Sequence, residues 1–184
     1  RLYKSKGFRD ASVVSDTLSI DPKSDSATLH IKIQEGQKYK FGSTTIVGNS
    51  VFKSDELLKY VEYVQGETFN EDLIKRAYYQ MMVHYNDSGY LNVNIQSNET
   101  AHDDSVDVQF EIAEDVVSKV AKVIIQGNTK TIDKVIRREI EIFPGEAFNR
   151  TKYEESARNL RLLNFFTADE KGVEPSYIPA ENGK

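Results

Sequence analysis

The sequence predicts an α+β fold built as a tandem array. Each unit runs β-α-α-β-β and forms a three-stranded mixed sheet with two helices on one face. Three observations predict it: landmarks that return at one fixed spacing, helical apolar stripes followed by alternating strands, and glycines where elements end. Internal repetition ranks first among these, because a missed repeat mis-assigns the whole fold.

Residues 41–49 read FGSTTIVGN and residues 120–128 read VAKVIIQGN, so Gly48 aligns with Gly127 at an offset of 79. The same offset places Gly66-Glu67-x-Phe69-Asn70 on Gly145-Glu146-x-Phe148-Asn149, and Glu35-Gly36 on Glu114-Asp115. Upstream, Tyr3-Lys4-Ser5-Lys6-Gly7-Phe8 resembles Tyr85-Asn86-Asp87-Ser88-Gly89-Tyr90. The expected organisation is the C-terminal part of a preceding unit at 1–36, a complete unit at 37–115, and a following unit at 116–184 lacking its final strand. The chain opens on Arg1 without an apolar leader and reads as a piece of something longer.

Within the complete unit, residues 39–47 are β-rich and stop at Gly48-Asn49, a pair suited to positive φ. Ser54 is the expected N-cap of a first helix carrying Leu57, Leu58 and Val61. Asn70 is the expected cap of a second, with Glu71 and Asp72 in its first turn, where they suit the helix dipole. Leu73, Ala77, Tyr78, Met81 and Tyr85 form its apolar stripe, and Gly89 ends it. Residues 90–97 then alternate, with Leu91, Val93 and Ile95 against Asn92, Asn94 and Gln96. A polar turn is expected over 98–104. Residues 105–114 alternate again through Val106, Val108, Phe110 and Ile112, as expected of a hairpin buried on one face. In the third unit the pattern predicts a strand at 120–125, helices near 132–141 and 151–163, and a strand opening at Phe165 and Phe166.

Composition narrows the function. The chain has 184 residues, 39% hydrophobic and 29% charged, with a net charge of −5. That is too apolar for a disordered chain, and no run approaches the ~18 apolar residues of a membrane helix. Cysteine is absent, which removes disulfides, thiolate catalysis and Cys-based zinc sites. The middle unit carries the acidic excess, so nucleic acid is not an expected partner. His102-Asp103-Asp104 with Asp107 lacks the denser oxygen pattern of a calcium loop and reads as a turn. No glycine-rich phosphate loop and no local acid/base pair is present, so neither a cofactor nor enzymatic activity is expected.

The β-α-α-β-β order, the Val-Gly-Asn and Gln-Gly-Asn strand ends, the Gly-Glu-x-Phe-Asn before helix two and the stretch Leu162-Leu163-Asn164-Phe165-Phe166 together resemble POTRA domains of the Omp85 family. Asn164 stands where glycine is usual. The resemblance covers nearly the whole chain as three consecutive repeats, the last similar to the POTRA domain that precedes the barrel in BamA-type assembly factors. It implies the periplasmic portion of an outer-membrane protein whose membrane barrel lies outside this chain. The implied partners are unfolded outer-membrane β-barrel proteins and accessory lipoproteins. Two-partner-secretion or autotransporter-assembly transporters and a cell-division adaptor are the alternatives; three repeats in tandem favour the assembly factor.

Two sets of site residues follow. In POTRA domains the second strand is the sheet edge, which here assigns Tyr90, Leu91, Asn92, Val93, Asn94, Ile95 and Gln96 to a site for clients added as an extra strand. The same pattern also suits an ordinary edge covered by a neighbouring repeat. The position in the family assigns Arg137, Arg138 and Glu139, taken as mid-helix, and Phe165 and Phe166 to docking of a partner subunit. A solvated helix face and core aromatics are the other readings of these five residues.

Overall fold

The computed structural model describes residues 2–21, 26–163 and 175–178. Its elements, in order, are β1 (Ser12–Asp21), β2 (Ser26–Gln34), β3 (Lys40–Val47), α1 (Ser54–Leu57), α2 (Glu71–Asp87), β4 (Asn94–His102), β5 (Ser105–Ala113), α3 (Asp133–Arg137) and α4 (Arg150–Leu162), with short 3-10 turns at Lys4–Lys6 and Leu58–Tyr60. By compactness the chain divides into two units, residues 1–79 with 95–112 and residues 80–94 with 113–184, and α2 runs through the division.

The first unit holds two sheets. β1 and β2 pair antiparallel, from Ser12 opposite Gln34 to Asp21 opposite Ser26, with an irregularity between Val13 and Ser15. β3, β5 and β4 form a sheet in that order. β3 runs parallel to β5, with Phe41 opposite Val106 and Val47 opposite Glu111. β4 reaches β5 through the two-residue turn Asp103-Asp104, where Asp103 takes φ 47°, a conformation Asp tolerates.

β5 alternates as its sequence demands: Val106, Val108, Phe110 and Ile112 are buried, while the residues between them are not. Leu57 of α1 and Ile74 and Ala77 of α2 are buried as well, and Phe41 stacks on Tyr63 at 3.7 Å between ring centroids. The helices cover one face of the sheet. The buried stripe of α2 is Ile74, Ala77, Met81 and Tyr85, so Ile74 replaces the expected Leu73, which is half-buried.

The second unit repeats the first at the predicted offset. Phe41 N–H donates to Glu67 O and Gly66 N–H to Phe41 O; Val120 N–H donates to Glu146 O and Gly145 N–H to Val120 O. The bridge between Lys40 and Thr68 has its counterpart between Lys119 and Ala147. Asn49 Nδ2 donates to Phe52 O and Ser54 Oγ, and Asn128 Nδ2 donates to Thr131 O and Asp133 Oδ1. Each Asn thus ties the segment before it to the helix five residues on. Asn70 and Asn149 accept through Oδ1 from the backbone of Asp72 and Lys152, capping α2 and α4.

Four expectations need correction. The strand expected at 90–97 begins at Asn94 and runs to His102, so the polar turn shrinks to Asp103-Asp104. Residues 90–93 are spent on leaving α2, and most of 98–102 is exposed, with Glu99 half-buried. α1 starts at Ser54 with Lys53 as its N-cap, and Ser54 Oγ binds Asn49 instead of capping the helix. α3 covers only 133–137, so Arg138 is its C-cap and Glu139 lies beyond it. Residues 120–125 form no strand. β3, by contrast, is held in its sheet by parallel pairing with β5.

Candidate strand-edge site

The exit from α2 sets where the edge strand begins. Gly89 has φ 92°, which only glycine adopts without strain. Tyr90 N–H returns to Tyr85 O at 3.0 Å, and the two rings meet edge to face at 6.0 Å. Leu91 N–H donates to Gly89 O, and Asn92 Nδ2 donates to Asp115 Oδ2 at 3.0 Å. Tyr90, Leu91, Asn92 and Val93 therefore lead to the edge strand without belonging to it. Asn94, Ile95 and Gln96 are on it.

β4 has one neighbour in the sheet, β5. It contains no Pro and no Lys, the residues that usually blunt an edge. Its odd positions face the helix side: Ile95 is buried, Ser97 and Ala101 are exposed, and Glu99 is half-buried. Its even positions face the open side of the sheet, where Asn98 Nδ2 donates to Glu111 Oε2 at 3.2 Å. Unpaired backbone beside a row of accessible side chains is what an added strand needs.

Sequence reasoning missed the far end of this strand. Arg9 Nε donates to Glu99 Oε2 at 3.0 Å. A small pocket there is lined by Lys4, Arg9, Asp10, Phe69, Glu71 and Glu99. No repeat signal announces it, because 79 residues beyond Glu99 stands Ile178, and Leu91 fills the place matching Arg9.

Around α3, Ile136 is buried, and Arg137 and Arg138 are exposed. Arg137 pairs with Asp133 at 3.6 Å and Arg138 with Glu139 at 3.4 Å. Phe165 and Phe166 lie outside the described residues. Among the described residues no group of three or more acidic, His or Cys side chains is placed to hold a metal, and no helix is long and apolar enough to cross a membrane. Asp107 accepts from Ser43 N–H, which holds its carboxyl below the usual range, helped by the Ser43 side chain and His102. Asp115 is lowered in the same way by the backbone N–H of Val116 and by Asn92.

The POTRA family, described as a surface antigen variable number repeat, matches residues 39–115 and 118–182. A Treponema pallidum relative is 29% identical over 94% of this chain and 21% of its own length. The outer membrane protein assembly factor BamA of Neorickettsia risticii is 27% identical over 98% of this chain and 24% of its own. The chain thus spans about a fifth to a quarter of the length of these relatives. The crystal structure of Haemophilus influenzae BamA POTRA3-5 superposes with a TM-score of 0.77 at 20% identity, over 90% of this chain and 66% of that one.

Proposed function

The chain belongs to the POTRA family, and on that premise we propose that it is part of the periplasmic arm of a BamA-like outer-membrane protein assembly factor. It acts as a binding scaffold, without chemistry of its own. Its clients are unfolded outer-membrane β-barrel proteins, which add an extended segment to β4. The observation that carries this reading is the position of β4: a nine-residue strand at the sheet edge, with neither Pro nor Lys along it. Main-chain hydrogen bonds supply affinity in such an addition, and alternate side chains supply selectivity. An edge lysine is a standard guard against pairing. Ser97→Lys is therefore expected to weaken binding of a fluorescent peptide of alternating apolar residues about tenfold, with the fold intact by circular dichroism. Unchanged affinity would refute the strand-edge site.

We also assign the third repeat a docking role for an accessory lipoprotein, through Arg137, Arg138 and Glu139. The support is the position in the family together with exposed guanidinium groups that pair with local carboxylates. Arg138→Glu and Glu139→Lys are each expected to reduce capture of the parent complex's lipoproteins in a pull-down, with no change in melting temperature. Capture that survives both changes rules this surface out.

A further inference from the structure

We propose that Arg9 is a register stop on the β4 edge: by sitting on Glu99 it confines an added strand to residues 94–98. This rests on the reading of β4 as the client edge.

Glu99 shares the helix side of β4 with Ile95, Ser97 and Ala101. An incoming strand must place every second side chain on that side. At Ser97 the face is open. At Glu99 it is filled by the Arg9 guanidinium, and both side chains are largely covered, at 28% and 23% exposed. Arg9 is held from behind by Asp10 at 3.3 Å, and Asp10 accepts from the Tyr39 hydroxyl at 2.8 Å.

The loop that carries Arg9 does not depend on the ion pair. Gly7 O accepts from Tyr39 N–H at 2.8 Å, and Phe8 N–H donates to Tyr3 O at 3.1 Å. A Cβ on Gly7 would meet Thr68 Cγ2 at 2.9 Å, so backbone and neighbouring side chain are already in close contact. An exposed ion pair alone is too weak to close a site. A side chain aimed from a loop pinned by its backbone can do so. It follows that Arg9→Ala removes the stop and leaves the loop in place. Five residues at about 3.3 Å each leave roughly 17 Å of edge, so the device selects a short extended segment.

The test uses the full chain with a photo-crosslinking amino acid at Ser97 or at Ala101, and a labelled ten-residue peptide of alternating apolar residues as probe. With Arg9 in place, capture at position 97 is expected to exceed capture at 101 at least fivefold. With Arg9→Ala the two become comparable. Raised salt, which screens the pair, shifts the native chain part of the way. Equal capture at both positions in the native chain overturns the stop while the strand-edge reading stands. Failure of Arg9→Ala to raise capture at 101, in a chain with unchanged circular dichroism, also overturns it. No capture at either position overturns the stop and the strand-edge reading together.

Discussion

β1–β2 and β4–β5 are two hairpins with related patterns and opposite fates. At matched positions 79 apart, Leu29 and Ile31 are 55% and 52% exposed, while Val108 and Phe110 are 1% and 0% exposed. On β1, Leu18 lies opposite Leu29 and Ile20 opposite Ala27, so the first hairpin gathers its apolar residues on one face as the second does. Alternation therefore specifies a half-apolar ribbon and does not bury it. Burial at 108 and 110 accompanies Leu57, Ile74 and Ala77 on the helices that precede that hairpin in its own repeat. A two-stranded ribbon alone is marginal in water, and among the described residues the apolar face of β1–β2 stays exposed at Leu18, Leu29 and Ile31.

The largest test of this comparison substitutes the same kind of residue in each ribbon. Phe110→Ala removes a fully buried ring and is expected to cost about 3–5 kcal/mol. Ile31→Ala, at an exposed position, is expected to stay within about 0.5 kcal/mol. Urea unfolding of the two variants measures both. Similar losses would mean that the β1–β2 face is covered in solution, for example by a second copy of the chain, and a concentration-dependent sedimentation coefficient would then separate that case.

The second test compares two glycines 79 residues apart. Gly48 and Gly127 have φ 81° and 82°. A Cβ on Gly48 would clash with the Ile112 backbone carbonyl, whereas one on Gly127 meets nothing within 4 Å. Gly127→Ala should therefore cost only the left-handed conformation, about 1–2 kcal/mol. Gly48→Ala should add a steric loss of about 1–3 kcal/mol against β5. Equal costs would show that the chain packs at Gly127 as it does at Gly48.

The contrast also separates what could be read in the sequence from what could not. The offset of 79 was legible because glycines, caps and turn residues answer to local backbone geometry, and the same geometry is built twice. The alternation of β5 was legible because one of its faces is buried. The start of β4 was not. Residues 90–93 alternate like a strand, yet their backbone is committed to Tyr85, Gly89 and the helix exit. The lengths of α1 and α3 were overestimated, since apolar residues at helical spacing also suit a 3-10 turn such as Leu58–Tyr60. Arg9 on Glu99 joins residues 90 apart, and Leu91 and Ile178 at the matching positions cannot form such a pair, so neither periodicity nor repetition could point to it.

The smallest expected effect lies at the bulge of β3. Asp107 accepts the Ser43 N–H where the register of β3 against β5 slips between Phe41 and Thr44. Its carboxyl is lowered from 3.8 first by that backbone N–H, then by the Ser43 side chain, with His102 at 3.6 Å adding to the effect. A folded value below the unfolded one means that the unfolded chain takes up protons first as pH falls. The stability from this contact is therefore complete above 3.8 and disappears as pH drops through the lowered value. Asp115, lowered by Val116 N–H and Asn92, acts in the same direction. Asp107→Asn keeps an acceptor for Ser43 and abolishes the titration. The acid limb of a stability-against-pH curve should become shallower in that variant, and Asp107→Asn with Asp115→Asn should flatten it further. An unchanged acid limb in both would show that neither contact differs between folded and unfolded chains.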